Sequence, residues 1–273
     1  DTASLAKNCE VVCAFINDDL SAPVLQQLAA GGTRLIALRS AGYNHVDLQA
    51  AQQLGLSVVR VPAYSPFAIA EHAVALILAL NRRIHRAFNR TREGDFSLHG
   101  LIGFDLHGKT VGIIGTGQIG AAFARIMAGF GCQLLAHDPY PDGDLQALGV
   151  RYLPLDEVLQ QAQIISLHCP LNEQSRHLIN ADSLAAMQRG AMLINTGRGA
   201  LVDRDALHEA LATQRIADAG LDVFHDEPLK ADDPILGYAN TVLSPHNAGQ
   251  TLEVRRDGLL LTMANVERFL AGT

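Results

Sequence analysis

The stretch Thr110-Val111-Gly112-Ile113-Ile114-Gly115-Thr116-Gly117-Gln118-Ile119-Gly120 decides the fold. Its first half is an apolar, β-branched run that predicts a buried strand, and its second half is a glycine turn of the form GxGxxG. A helix is predicted directly after the turn, over Gln118–Gly129. Strand, turn and helix in this order are typical of the first βα unit of a dinucleotide-binding domain.

Each glycine of the turn has a separate physical reason to be glycine. Gly115 permits the tight turn, Gly117 lets the backbone approach a pyrophosphate, and Gly120 allows the helix to pack closely on the strand. The helix N-terminus, at Gln118 and Ile119, supplies free N–H groups and a partial positive charge for the phosphates. The turn therefore predicts a phosphate-binding loop.

An acid at the end of the next predicted strand identifies the expected cofactor. Asp138 follows the run Gln133–His137, at roughly the 20-residue offset where such domains bind the adenosine ribose. Its carboxylate would accept hydrogen bonds from both ribose hydroxyls and would repel a 2′-phosphate, so NAD is expected rather than NADP. The alternative is a glycine turn that holds no nucleotide, and the ordered strand, turn, helix and acid argue against it.

Beyond this unit, β-type runs alternate with helical stretches, which predicts an α/β fold with parallel sheets. The length of 273 residues suits two domains. Strands are predicted over Val11–Phe15, Leu35–Leu38, Ser57–Val61, Thr110–Ile114, Gln133–His137, Ile164–His168, Ala191–Asn195, Ala217–Asp222 and Thr241–Leu243. Further helices are predicted over Pro66–Arg86, over Arg204–Thr213 with Asp203 as N-cap, and from Leu252 onward, and Arg90–Gly108 is interpreted as a linker.

Composition excludes several classes of protein. The net charge of −7 gives no electrostatic basis for binding nucleic acid. The longest apolar run, residues 73–80, is far short of the roughly 20 residues of a membrane helix. No metal-binding motif is present, so no metal is expected. Reduced thiols in a cytoplasmic compartment are expected for the four cysteines, which are Cys9, Cys13, Cys132 and Cys169.

Three further segments lie at predicted strand ends and carry reactive side chains. They are residues 194–199 with Arg198, residues 221–228 with Asp222 and Glu227, and residues 243–249 with His246. In an open parallel sheet, ligands bind outside the carboxyl ends of the strands. These four side chains are therefore expected to converge at one edge of the sheet.

In this order after the glycine turn, the motifs resemble those of the D-isomer-specific 2-hydroxyacid dehydrogenase family. The resemblance covers nearly the whole chain, and from about Cys9 to Leu207 it is closest to the fermentative D-lactate dehydrogenases. It implies two doubly wound, Rossmann-like domains with a cleft that closes over the substrate. The substrate domain would be discontinuous, with residues 1–65 and 250–273, and residues 66–249 would bind NAD. The closer match is carried by Leu38–Leu48, Val61–Pro66 and Thr91–Phe96.

The resemblance also implies a role for each reactive side chain. Arg198 would bind the substrate carboxylate and polarise the keto oxygen. His246 would give a proton to that oxygen during reduction, and Glu227 would fix the tautomer of His246 and favour its imidazolium form. Asp222 would orient the nicotinamide carboxamide. The chemistry agrees, because reducing a 2-keto acid requires a cation for the carboxylate, a proton donor near the ketone and a hydride carrier.

Other contacts follow from the resemblance alone. The substrate carboxylate would be held by backbone N–H groups near Ala41 and Gly42, and by the hydroxyl of Tyr64. A homodimer is expected, since the family packs its long apolar helix across a dimer. The family begins with another βα unit before Cys9, and residues are expected to be missing there. Further cofactor contacts are implied at Cys169, Pro170, Thr196 and Gly249.

The substrate is expected to be pyruvate or D-lactate, with two alternatives. The segment His246-Asn247-Ala248-Gly249 resembles the glyoxylate and hydroxypyruvate branch instead. An NAD(H)-sensing module similar to the transcriptional corepressors of this fold is the alternative from another class. His72 is interpreted as a structural residue, and His225 is given no role.

Overall fold

The computed structural model describes residues 2–61 and 65–272. The chain divides into two compact units, one formed by Asp1–Ser65 with Gln250–Thr273 and the other by Pro66–Gly249. No helix among the described residues is long and apolar enough to cross a membrane.

The described residues contain ten strands and eleven α-helices, which alternate along most of the chain. The strands are β1 (Val11–Ala14), β2 (Leu35–Leu38), β3 (Ser57–Val59), β4 (Thr110–Ile114), β5 (Gln133–His137), β6 (Arg151–Tyr152), β7 (Ile164–Leu167), β8 (Met192–Asn195), β9 (Asp218–Leu221) and β10 (Thr241–Leu243). The helices are α1 (Thr2–Leu5), α2 (Ala22–Ala30), α3 (Leu48–Gln53), α4 (Pro66–Arg82), α5 (Ile84–Arg92), α6 (Gln118–Gly129), α7 (Gly143–Ala147), α8 (Leu155–Gln161), α9 (Ala181–Ala186), α10 (Arg204–Ala212) and α11 (Leu252–Leu270).

The smaller unit is built on a three-stranded parallel sheet in the order β1-β2-β3. All four residues of the central strand β2 are buried, and α11 lies against that strand. A parallel strand covered on both faces has no solvent-facing positions, which explains why Leu35–Leu38 is an unbroken apolar run. The core continues into α2 through the buried Leu25 and Leu28.

The larger unit is built on a seven-stranded parallel sheet in the order β10-β9-β8-β7-β4-β5-β6. The chain order reverses beside β4, which pairs with β5 on one side and with β7 on the other. Open sheets of this kind bind ligands at such a reversal, outside the carboxyl ends of the strands. The glycine turn Gly115–Gly120 follows β4 and therefore lies at the reversal. The predicted α/β class with parallel Rossmann-like sheets is confirmed.

Helix α4 is a core helix of the larger unit. Its apolar middle packs against α6 and against β8, β9 and β10. Ala70, Ala73, Ile77 and Leu80 are completely buried in this layer. The apolar run that is too short for a membrane helix is therefore explained by burial against the sheet.

The structure corrects the predicted end of the long helix. Helix α4 stops at Arg82 rather than Arg86, because Arg83 adopts a left-handed backbone conformation with φ 50°. The guanidinium of Arg83 makes two hydrogen bonds to the carboxylate of Asp218, at 2.6 and 3.2 Å, and so fixes this break. Helix α5 then extends to Arg92, so the predicted linker Arg90–Gly108 begins inside a helix.

The remaining predictions of local structure are close to the observed elements. Helix α6 spans the predicted residues Gln118–Gly129, and the nine predicted strands are present to within two residues at each end. The side chain of Asp203 caps α10 by accepting a hydrogen bond from the N–H of Ala206. Strand β6 was not predicted, because a two-residue strand carries no periodic pattern.

Candidate active site

The four predicted reactive side chains follow three neighbouring strands. Arg198 lies just beyond β8, Asp222 and Glu227 beyond β9, and His246 beyond β10. The three strands are adjacent and parallel in the sheet, so these segments leave at the same edge. The fold therefore brings together residues that are separated by up to 48 positions in the chain (246 − 198).

His246 and Glu227 form a direct hydrogen-bonded pair. The Nδ1 atom of His246 lies 2.7 Å from Oε2 of Glu227, and Oε1 of Glu227 accepts a hydrogen bond of 2.9 Å from the N–H of Phe224. Burial alone would raise the pKa of Glu227. The hydrogen bonds from His246 and Phe224, with the charges of His246 and Arg198, outweigh burial and hold that pKa below its usual value.

The ionised state of Glu227 fixes the tautomer of His246. A carboxylate can only accept hydrogen bonds, so the proton between the two groups belongs to Nδ1 of His246. Nε2 is then the ring atom that can exchange a proton with a bound molecule. This is the arrangement of a general acid–base histidine held by a carboxylate.

Arg198 supplies the cation of the site. It has extended backbone, and its NH1 atom donates a hydrogen bond of 2.6 Å to the carbonyl of Gly197. Asn195, at the end of β8, accepts from the N–H of Gly197 and donates to the carbonyl of Arg198, which fixes the turn that carries the guanidinium. The charge of Arg198 contributes to the lowered pKa of Glu227, so the cation acts on the His246–Glu227 pair.

Asp222 organises the loop that carries His246. Its side chain is fully buried, and its two oxygens accept hydrogen bonds of 2.9 Å from the N–H groups of Asn247 and Ala248. His246 itself has a φ of 51°, an unusual conformation for a residue other than glycine. The neighbouring N–H groups bound to Asp222 therefore anchor the backbone on the C-terminal side of His246. The predicted contact of Asp222 with the nicotinamide carboxamide stays a prediction.

The three glycines of the turn differ in what surrounds them. A Cβ atom on Gly115, whose φ is 94°, would lie 2.6 Å from the backbone nitrogen of Cys169, and one on Gly120 would lie 2.0 Å from the carbonyl oxygen of Gly115. A Cβ on Gly117 would meet no atom of the described residues within 4 Å. Gly115 and Gly120 are therefore required by close packing, whereas the space beside Gly117 is open to a ligand.

The acid predicted to bind ribose lies beside this turn. The carboxylate of Asp138 accepts hydrogen bonds from the N–H of Thr116, at 2.7 Å, and from the N–H of Tyr140, at 2.8 Å. Each carboxylate oxygen can accept more than one hydrogen bond, so capacity for the two ribose hydroxyls remains. The hydroxyl of Tyr152 in β6 donates to Oγ1 of Thr116 and accepts from the N–H of Asp142, each at 3.0 Å.

The surroundings of the turn fit a nicotinamide dinucleotide. In the part of the chain that the structure describes, no side chain caps the N-terminus of α6, so its first N–H groups are available to phosphates. Oγ1 of Thr196, just beyond β8, is buried and has no hydrogen-bond partner among the described residues. Burial raises the pKa of the Cys169 thiol to about 11, so Cys169 lines this edge as a neutral side chain.

Comparison with known proteins identifies the family. Residues 74–248 match the family described as "D-isomer specific 2-hydroxyacid dehydrogenase, NAD binding domain". The chain belongs to this family. The predicted family and the predicted cofactor, NAD, are confirmed, and the enzyme is an NAD-dependent D-2-hydroxyacid dehydrogenase.

Individual relatives align with most of this chain. It is 54% identical to the D-lactate dehydrogenase of Escherichia coli strain K12 over 226 residues, which are 83% of this chain and 69% of the relative. The apo structure of D-lactate dehydrogenase from Escherichia coli has a TM-score of 0.92 at 48% identity and covers 99% of this chain and 86% of its own. The structure of D-lactate dehydrogenase from Aquifex aeolicus complexed with NAD and lactic acid has a TM-score of 0.88 at 34% identity, covering 99% and 85%.

Several predicted site residues of the dehydrogenase remain predictions. Ala41 and Gly42 follow β2 in the smaller unit, where their carbonyls accept hydrogen bonds from the side chains of Arg60 and Ser40. Tyr64 lies outside the described residues. Pro170 follows β7, next to Cys169, and Gly249 ends the larger unit. No cluster of His, Cys, Asp and Glu that could hold a metal ion is found within residues 2–61 and 65–272.

The contacts of two histidines at this edge of the sheet, His72 and His225, could not be predicted from the sequence. Nε2 of His72, in α4, lies 2.9 Å from Oγ of Ser244, which donates a hydrogen bond of 2.6 Å to Asp222. The signal in the sequence is a histidine at the start of the apolar stretch of the long helix. No role is predicted for His225. Its Nε2 atom lies 2.7 Å from the carbonyl oxygen of Val202, and its ring contacts the ring of His177.

Proposed function

We propose that this dehydrogenase interconverts D-lactate and pyruvate with NAD as cofactor. The observation that carries the proposal is the hydrogen bond of 2.7 Å between Glu227 and His246, beside Arg198 at the edge of an NAD-binding sheet. Relatives named D-lactate dehydrogenase support pyruvate as the keto acid.

In this proposal His246 handles the proton. Glu227 holds Nδ1, so Nε2 donates a proton to the keto oxygen during reduction and removes it from the hydroxyl during oxidation. Bound NADH supplies the hydride. Proton transfer by a positioned side chain is worth about 10²- to 10⁴-fold in rate.

Arg198 binds and polarises the substrate in this proposal. Its guanidinium presents two parallel donors, which match the two oxygens of a carboxylate. A Cβ atom on Gly199 would lie 2.1 Å from the carbonyl group of Phe224, so this glycine lets the turn that carries Arg198 pack against the loop beyond β9. A lysine at this position would keep the charge and lose the two-pronged geometry.

The experiment is a steady-state assay of NADH oxidation with pyruvate, glyoxylate, hydroxypyruvate, oxaloacetate and phenylpyruvate, followed by the reverse assay with D- and L-lactate. His246→Ala is expected to lower kcat by about 10²- to 10⁴-fold. Arg198→Ala is expected to lower kcat/KM for pyruvate by a similar factor. Matched controls are His107→Ala and Arg189→Ala, which change exposed residues before β4 and β8, at the opposite edge of the sheet.

Each outcome separates the candidate functions. Turnover that favours pyruvate and D-lactate, and that is lost only in the two site variants, supports the proposal. A preference for glyoxylate or hydroxypyruvate would favour the second candidate, which rests on His246-Asn247-Ala248-Gly249. NADH binding without turnover of any of these acids would contradict the proposal and favour the NAD(H)-sensing module.

The proposed enzyme is a homodimer that associates through the larger unit. Within the larger unit, several strongly exposed apolar side chains follow α4, where Phe96, Leu98 and Ile102 are 78%, 79% and 91% exposed. Ile84 and Phe88 of α5 are also more than half exposed. An apolar surface of this kind is typical of a protein–protein interface. A monomer at micromolar concentration in light scattering would contradict this part of the proposal.

A further inference from the structure

A chain of three polar side chains leads from α4 to the loop that carries His246. Nε2 of His72 lies 2.9 Å from Oγ of Ser244, and Oγ of Ser244 lies 2.6 Å from Oδ1 of Asp222. His72 and Ser244 are 172 positions apart in the sequence, so only the packing of α4 against the sheet brings them together. The side chain of His72 is 22% exposed, and that of Asp222 is fully buried.

The directions of these hydrogen bonds follow from what each group can donate. An ionised Asp222 only accepts, so the single hydroxyl proton of Ser244 points to Asp222. Oγ of Ser244 must then accept from His72, which places a proton on Nε2 of His72. The direction is therefore His72 to Ser244 to Asp222, and Nε2 also lies 3.5 Å from Oδ1 of Asp222.

The carboxylate of Asp222 also anchors the loop that carries His246, the proposed proton donor. Oδ1 of Asp222 accepts from Ser244 and from the N–H of Asn247, and Oδ2 accepts from the N–H of Ala248. Ser244 and Asn247 lie on the two sides of His246, whose backbone has a φ of 51°. A rotation of the Asp222 carboxylate would therefore move the backbone of His246 from both sides.

We propose that His72 is a positioning residue for the reaction: through Ser244 it fixes the orientation of Asp222 and so holds His246 in place for proton transfer. The inference rests on the proposed function for its catalytic part. His72 does not act on substrate itself. Its effect is expected on kcat more than on NADH binding, because the glycine turn and Asp138 belong to other strands.

A histidine that only fills space in α4 would behave differently. Its loss would lower the melting temperature and would leave kcat of the folded enzyme unchanged. Glutamine can place an N–H near the position of Nε2, whereas leucine fills similar volume without a donor. The pair His72→Leu and His72→Gln therefore separates hydrogen bonding from packing.

The experiment measures kcat, KM for pyruvate, Kd for NADH and melting temperature for His72→Leu, His72→Gln, Ser244→Ala and the double variant His72→Leu/Ser244→Ala. We expect His72→Leu to lower kcat by about 10-fold, as a small displacement of a catalytic group does, with Kd for NADH within about 2-fold of the wild type. His72→Gln should recover most of the loss. The double variant should lose no more than the larger single loss, because both residues act through one carboxylate.

A second measurement tests the inference without turnover. Hydrogen exchange of the peptide that covers residues 244–249 should be faster in His72→Leu than in the wild type, and unchanged in the control His107→Leu. An unchanged kcat in His72→Leu, or unchanged exchange in this peptide, would overturn the inference. A wild-type protein that reduces no keto acid would overturn the proposed function instead, and the exchange result would still decide whether His72 holds the loop.

Discussion

Two groups of residues follow strands of the seven-stranded sheet: the glycine end, which is the turn Gly115–Gly120 with Asp138 and His168, and the catalytic end, which is Arg198, Asp222, Glu227 and His246. Each group encloses an ionisable side chain, which is uncharged at the glycine end and charged at the catalytic end. The side chain of His168, beyond β7 and against the glycine turn, has its Nε2 atom 2.9 Å from Oγ of Ser166, and burial lowers the pKa of His168 to about 3. The side chain of Asp222, beyond β9, is fully buried and accepts hydrogen bonds from Ser244, Asn247 and Ala248. Burial would raise the pKa of Asp222, but these hydrogen bonds, with one from His72, lower it.

The difference shows what a buried charge requires. A charge is retained inside a protein only where enough hydrogen-bond donors replace the water it has lost. The catalytic end supplies these donors from α4 and from the loop after β10. The glycine end is held by close contacts of backbone and rings, such as His168 on Phe123 at 4.8 Å, and His168 is neutral there.

The largest effect is expected when the charge at the catalytic end is removed. In the wild type the donors bind two carboxylate oxygens of Asp222, whereas Asp222→Asn offers them a single acceptor oxygen. We therefore expect this variant to lose about 3 kcal/mol in the free energy of unfolding at neutral pH. We also expect about a 100-fold loss in kcat, because the loop that carries His246 is released. Urea denaturation and pyruvate reduction measure the two effects.

The pH dependence of this loss has a definite sign. The pKa of Asp222 is lower in the folded protein than its ordinary value of 3.8. The stabilisation is therefore fully present above about pH 4 and is lost as pH falls through the folded-state pKa. The difference between wild type and Asp222→Asn should shrink below about pH 4, and a difference that is the same at pH 7 and pH 3 would contradict this account.

The two ends also differ in how far the sequence predicted them. The glycine end could be predicted because its parts are local, with strand, turn, helix and Asp138 within 29 consecutive residues, 110 to 138. The residues predicted to be catalytic follow from the resemblance to a family, and their convergence follows from their positions at strand ends. The role of His72 could not be predicted, because nothing in a helix pattern shows which strand loop its polar side chain meets.

The break of the long helix at Arg83 could not be predicted from the sequence either. Arg83 and Asp218 are 135 positions apart, and their two hydrogen bonds hold a backbone conformation that the apolar pattern around Arg83 does not indicate. Helix propensity favours continuing through such a residue. A contact between distant segments overrides it here.

The next effect sharpens the comparison within the glycine end. Gly120→Ala places a Cβ atom 2.0 Å from the carbonyl oxygen of Gly115, so α6 must shift, and we expect a loss of about 2–3 kcal/mol in unfolding free energy together with weaker NADH binding. Gly117→Ala meets nothing within 4 Å, so the melting temperature should not change, while NADH binding weakens by about 10-fold or more if phosphates approach there. Thermal denaturation and NADH fluorescence titration test the pair. Equal losses of stability in both variants would contradict the distinction.

A third prediction concerns the neutral histidine. The pKa of His168 is about 3 in the folded protein and 6.5 ordinarily, so only the unfolded chain takes up this proton as pH falls from neutral. Between about pH 7 and pH 5 the wild type should therefore lose about 2 kcal/mol of unfolding free energy relative to His168→Gln. The measurement is urea denaturation of both proteins at the two pH values. If the unfolding free energies of the two proteins changed equally with pH, His168 would take up its proton at the same pH in the folded and the unfolded protein, and this account would be wrong.

The smallest effect is expected at Tyr152, whose side chain makes hydrogen bonds beside the glycine turn. Its hydroxyl joins Thr116 in the glycine turn to the N–H of Asp142, and so connects the turn to the loop beyond Asp138. Tyr152→Phe removes about 1 kcal/mol of hydrogen bonding, so KM for NAD should rise by about 3- to 5-fold with kcat nearly unchanged. KM for pyruvate should stay at the wild-type value, because the variant leaves His246 and its loop intact. A fall in kcat without a change in KM for NAD would mean that the two ends of the sheet share one network.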